Sequence, residues 1–255
     1  MRSVSSTRVL FFAVKTASRL FVPVFLTGGF WLVSLHALEF VAGQSFGYAT
    51  EYLHRTGRED IAFIAILAIV ELCFTLVWSA AWVLAVSEFA DAIDTGRPAN
   101  TAASLARHFN QVLIELVRSL ASVLWRTPLL IVPAFEQYVR LAFIPFVVLF
   151  DPAYAKGKID ALKTSRALSA RRFLLLAFVL ALSLVIPWFA ESLAQSDKGQ
   201  WIWENPVGVL IGWLLTLLIN TSTTLFLFGV FRGIYPSAAA SPAPGPAGDP
   251  PVALA

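Results

Sequence analysis

Long runs of apolar residues recur along this sequence, and its arginines and lysines collect in alternate gaps between them. That arrangement constrains the fold more than any single motif. Backbone amides inside hydrocarbon must be bonded within their own segment, so each run can cross a bilayer only as a helix. A helix needs about 20 apolar residues to do so. The runs lie at about 20–41, 61–86, 111–132, 134–150, 173–190 and 207–231. The expected fold is therefore all-α: a six-helix transmembrane bundle over residues 1–235. Hydrophobic residues make up 58% of the chain and charged residues only 14%, against about a quarter charged in a soluble domain. A water-soluble fold would lack the polar surface it needs.

Orientation follows from the side on which Lys and Arg gather. Arg2, Arg8, Lys15 and Arg19 precede the first run. Arg97 and Arg107 follow the second, Lys156, Lys158, Lys163, Arg166, Arg171 and Arg172 follow the fourth, and Arg232 follows the sixth. The other gaps hold only Arg55, Arg58 and Lys198. Six crossings with both termini in the cytoplasm satisfy this bias. Trp188, Trp201 and Trp203 flank the last outer loop, where an aromatic belt is expected. The first apolar run exceeds a signal-peptide core and is expected to be retained. Residues 236–255 are rich in Pro and Ala, with few large apolar side chains, and are expected to form a disordered cytoplasmic tail.

The third and fourth runs differ from the rest. They contain Glu115, Arg118, Arg126, Glu136 and Arg140, and also Pro128, Pro133 and Pro145. Kinked crossing helices or a re-entrant pair are both compatible with this composition. Gln111, Glu115, Arg118, Ser122 and Arg126 fall on one stripe at helical periodicity, so that stripe must face protein or water. With Glu71 of the second run, the residues Glu115, Arg118, Arg126, Glu136 and Arg140 form a candidate intramembrane polar cluster. Carboxylate partners are expected for Arg126 and Arg140, with Glu71 the central acid by depth. One reading is a polar path or binding cavity between the second, third and fourth spans; the other is ion pairing that holds helices in register.

Two further elements flank the cytoplasmic face. The segment Tyr154–Arg172 has the pattern of an amphipathic helix, with Ile159, Leu162 and Leu168 as apolar anchors. Its Lys156, Lys158, Lys163, Arg166, Arg171 and Arg172 make a candidate surface for anionic lipids. Glu88, Asp91 and Asp94 follow the second run at three-residue spacing and are expected to form a solvated helix end. Asn100 or Thr101 is placed to cap the next helix. In the sixth run Gly208, Gly212, Thr216, Asn220 and Thr224 suit close helix packing.

The stretch from Leu129 to Leu174 contains an Ile/Val-Pro pair, an aromatic-Arg helix, a short acidic turn and the segment Asp160-Ala-Leu-Lys-Thr-Ser-Arg-Ala-Leu. It resembles uncharacterised bacterial multi-pass proteins related to the membrane domain of glycerophosphoryl diester phosphodiesterase. Ala161, Leu162, Lys163, Ser165 and Leu168 match that family's Ala-Leu-Lys/Arg-x-Ser-x-x-Leu segment, while Ala170-Arg171 stands where a basic-Gly pair is usual. The resemblance implies a six-helix inner-membrane bundle; it does not imply phosphodiesterase activity, since no soluble catalytic domain is expected in this sequence. The expected function is thus non-enzymatic, acting through membrane lipids or an unidentified membrane-protein partner. The alternative is a transporter or channel. No cofactor, metal or nucleic-acid partner is expected. An enzyme built on His36 and Glu39, or on Glu136 and Arg140, has the least support.

Overall fold

A computed structural model describes residues 6–56, 61–126, 131–170, 172–194 and 206–235. Every regular element among them is helical: α1 (Ser6–Arg55), α2 (Ile61–Thr95), α3 (Thr101–Leu124), α4 (Ile131–Arg140), α5 (Ile144–Phe150), α6 (Pro152–Ala155), α7 (Ala161–Ala170), α8 (Phe173–Ala194) and α9 (Pro206–Ile234). Arg2, Arg58, Pro128, Arg171, Lys198, Trp201, Trp203 and the 236–255 tail lie outside the described residues, as does the side chain of Trp188.

Four segments are long and apolar enough to cross a membrane: α1, α2, Val132–Phe150 and α9. Counting α7 with α8 as one bent span raises the number to five. The six expected crossings are therefore not all present as such. The difference lies in α3, which ends at Leu124 and is too charged to qualify, whereas the sequence pattern ran a span to residue 132. The chain then turns at Trp125 and Arg126.

Helices α1 and α2 run antiparallel. The Trp78 indole donates to the Leu35 carbonyl at 2.9 Å, and the Phe89 ring lies over Gly28, where an added Cβ would come within 2.5 Å of it. Helix α9 returns antiparallel to α1. Gly229 sits so close that a Cβ there would meet the Ala13 Cα at 2.9 Å, and His36 reaches the Trp213 carbonyl at 3.0 Å. Helix α8 packs beside α9 and buries Leu176 and Leu180. We call the end where α1 begins and α9 finishes proximal, and the other end distal.

Most of the core is proximal. Phe143, Phe146 and Phe150 of α5 meet Phe228 and Phe231 of α9 at ring separations of 5.7–6.4 Å. Distally the bundle opens. No described residue of α1 beyond His36, and none of α2 before Ala80, is buried. These two stretches form an arm, joined to itself by contacts such as Phe46 with Phe74.

Two glycines set the punctuation. Gly96 (φ 68°) and Gly157 (φ 66°) take the left-handed conformation that an ordinary side chain resists. At each, the amide of the residue after the glycine bonds back five residues: Arg97 to Ala92 and Lys158 to Ala153, both at 2.9 Å. Gly157 thereby splits the expected Tyr154–Arg172 helix into α6 and α7. Asn100 caps α3 by accepting from the Ala103 amide at 3.0 Å, as its position in the sequence suggests.

Candidate functional site

The polar stripe of α3 is roofed by α4, α6 and α7. Glu115 is only 4% exposed. Both its oxygens accept from Arg118 Nη1, at 2.7 and 2.9 Å, and Oε1 also accepts from the Tyr154 hydroxyl at 3.2 Å. Burial, and then the neighbouring Glu115 charge, push the Tyr154 phenol up to about 12. Arg118 reaches across to Asp160 at 3.5 Å. Burial pushes the Asp160 carboxyl up, but the Leu162 amide and the Arg118 guanidinium together hold it below its ordinary value. One turn further, Arg166 donates to Ser122 at 3.1 Å, and the Gln137 amide lies 2.8 Å from the same hydroxyl. Gln111 stays exposed at the start of the stripe.

On α4 the pair is Glu136 and Arg140, at 2.6 Å, with the guanidinium 5.9 Å from the Phe173 ring centre. Arg140 thus has the expected acid, and it is its i,i+4 neighbour. Arg126 differs: it is half-buried beyond the end of α3 and has no acidic partner among the described residues. Glu71 is exposed on the arm, where only its main-chain carbonyl is engaged, by Thr75 at 2.9 Å. The six candidate residues therefore do not converge. Four resolve into two local pairs, because residues three or four apart on one helix meet before more distant ones can.

The basic set on the α6–α7 segment also divides. Lys156, Lys158 and Lys163 are exposed. Arg166 turns inward to Ser122, and Arg172 is 8% exposed. Ile159, Leu162 and Leu168 pack against the core as anchors. The buried face of α7 is polar in detail. Ser165 and Ser169 both donate to the Arg140 carbonyl, at 2.9 and 3.1 Å, and Ser165 accepts from the Phe143 amide at 3.1 Å. These are the main-chain groups left open where α4 breaks before α5.

The acids at the end of α2 form a charged lock rather than a solvated helix end. Glu88 accepts from Arg97 at 2.6 Å and from the Asn100 amide at 3.0 Å. Asp91 holds Arg97 at 3.0 Å and pairs with Arg232 of α9, and Asp94 pairs with Arg19 of α1. Bonding to Glu88 and Asp91 raises the Arg97 pKa. The lock ties α1, α2, α9 and the loop before α3 together. The sequence signal for it was present, three acids leading into Gly96-Arg97, but the Arg232 partner is 141 positions from Asp91. No group of acids, histidines or cysteines among the described residues has the geometry to hold a metal ion.

Beside this lock lies a cavity of about 470 Å³ between α2, α3 and α5, lined by Ser87, Glu88, Asp91, Arg97, Arg107 and His108 among others. Ser87 Oγ and His108 Nδ1 are buried atoms without a hydrogen-bond partner. Such atoms cost about 1–3 kcal/mol each when left unbonded.

No family model, curated protein or solved structure matches this chain.

His36, toward the distal end of the bundle, is fully engaged. Nδ1 lies 2.7 Å from Glu39, Nε2 donates to the Trp213 carbonyl, and the ring stacks on Trp213 at 5.2 Å. At 3% exposed, it joins α1 to α9.

Proposed function

We propose that the protein is a non-enzymatic, multi-pass protein of the bacterial inner membrane that acts by engaging a partner within the bilayer. The observation carrying this reading is Glu71, an outward-facing carboxylate on an apolar arm with no cation beside it among the described residues. The stretch Ile61–Ser87 has no other charge and is about 40 Å long as a helix. A hydrocarbon layer of about 30 Å leaves little room to slide along it. Glu71, about 15 Å from Ile61, then falls within the layer. An unpaired charge there costs about 2.5–3.5 kcal/mol or more, and a partner helix carrying a cation or a hydrogen-bond donor at that depth removes the cost. Gly43 and Gly47, also on the arm, have nothing within 4 Å of an added Cβ, which leaves room for the close approach that small residues allow.

The same reading gives four crossings, by α1, α2, α8 and α9, and assigns Val132–Phe150, apolar enough to cross but broken between α4 and α5, to the proximal side. Helices α3 to α7 form a cap on the proximal side. The contacts support this: Arg118 with Asp160 and Ser122 with Arg166 hold the cap together, while Arg140 with Phe173 and Asp151 with Tyr235 join it to the proximal ends of α8 and α9. An even number of crossings keeps both termini in the cytoplasm. It also leaves only Arg55, Arg58 and Lys198 of the 19 basic residues outside. In this arrangement Lys156, Lys158 and Lys163 face the anionic inner leaflet. Kinship with the bacterial family resembled by the Ala161–Leu168 segment is part of the proposal, with Ser165 given a structural role.

A photo-crosslinking residue at Ala68, one turn from Glu71, tests the partner reading in cells. The expected result is a discrete protein adduct that weakens with Glu71→Leu. Adducts to lipid alone would contradict it. A transporter has less support, since the charges along α3 and α4 close on each other instead of lining a common path.

A further inference from the structure

We infer that the cavity between α2, α3 and α5 is a binding site for a phosphate group. Three hydrogen-bonding groups stand there unused. Ser87 is 1% exposed and lines the cavity, with no partner for its hydroxyl. His108 Nδ1 is likewise unbonded. Arg107, on the same helix, makes no ion pair among the described residues. The two carboxylates in the wall are already met, Glu88 by Arg97, and Asp91 by Arg97 and Arg232. Arg107 is therefore a surplus positive charge. The start of α3, close by at Asn100 and Ala103, contributes the positive end of a 24-residue helix.

The chemistry of the donors selects the ligand. A guanidinium, an imidazole and a hydroxyl drawn from two helices suit the several oxygens of a tetrahedral phosphate. A planar carboxylate offers only two. Leu149 and Phe150 give one wall an apolar surface for the carbon part of a phosphate ester, and the volume suits a small ligand. The group has two sources, a phospholipid head group or a free phosphate compound. This site uses neither Glu71 nor the number of crossings, so it stands apart from the partner reading.

The chain has 3 histidines, so ¹³C-labelled histidine gives a sparse spectrum of the detergent-solubilised protein, and His108→Gln assigns the His108 signal. The probes are inorganic phosphate, dioctanoyl phosphatidic acid and dioctanoylglycerol, which has the same chains without phosphate. We expect a saturable shift of the His108 signal with one or both phosphate probes and none with dioctanoylglycerol. Phosphatidic acid binding more tightly than inorganic phosphate assigns the site to a lipid head group; comparable binding assigns it to a free phosphate compound. Arg107→Gln, at an exposed position, and Ser87→Ala should each weaken binding about tenfold or more, the loss of one charge-assisted hydrogen bond. The inference is overturned if neither phosphate probe moves the signal, if dioctanoylglycerol moves it equally, or if both variants bind as tightly as the parent.

Discussion

The Ser165 hydroxyl donates to the main-chain carbonyl of Arg140 at 2.9 Å and accepts from the Phe143 amide at 3.1 Å. One side chain on α7 thus bonds both main-chain groups at the break between α4 and α5. Ser165 is fully buried, so Ser165→Ala leaves the Phe143 amide without that acceptor, while Ser169 still serves the carbonyl. The expected loss is about 1–3 kcal/mol, seen as a lower thermal midpoint in detergent. Lys163→Ala, on the exposed face of the same helix, should change stability by less than about 0.5 kcal/mol.

The glycines separate packing from partner contact. A Cβ at Gly229 would meet the Ala13 backbone at 2.9 Å, so Gly229→Ala should destabilise the bundle by about 1–3 kcal/mol, the usual cost of overpacking. Gly43→Ala meets open space and should raise helix stability by up to about 1 kcal/mol. In cells the same Gly43→Ala should weaken the adduct formed from Ala68. A stability scan and a crosslinking gel together check both halves.

Asp91 links Arg97 to Arg232. Asp91→Asn removes the charge that both guanidinium groups share and should cost about 1.5–3 kcal/mol. It should also speed proteolysis near the end of α9, which limited digestion in detergent would show. Double substitution of Asp91 and Arg232 by neutral residues should cost less than the sum of the two single changes.

Tyr154 supplies a pH signature. Its phenol is pushed up to about 12 by burial and by Glu115, against about 10 in an unfolded chain. The folded state therefore holds this proton more tightly. The associated stability is fully present below pH about 10 and is lost as pH rises to about 12. Tyr154→Phe should flatten that fall in a denaturation series, and an ultraviolet titration should show one fewer late-ionising tyrosine.

The helical class and the apolar runs were legible because period and length are local properties. The cap of Asn100 and the inward anchors of α7 were legible for the same reason. The crossing count was harder to infer. The apolar residues of α3 carried the pattern past Leu124, and nothing local marks Arg118 as the partner of Asp160 or Arg166 as that of Ser122. The candidate cluster does not converge, and depth along a sequence says nothing about which way Glu71 faces. The lock at Glu88, Asp91 and Asp94 has no local mark, because Arg232 and Arg19 reach it only through the fold.

The most direct test of the account concerns Trp125, which is 85% exposed just beyond α3. Trp125→Cys in a chain with Cys73→Ser can be probed with a membrane-impermeant thiol reagent. Helices α3 to α7 forming a proximal cap predict modification in inside-out vesicles and none in right-side-out vesicles. Modification from the right-side-out face would mean that α3 crosses the bilayer, and would contradict the four-crossing arrangement.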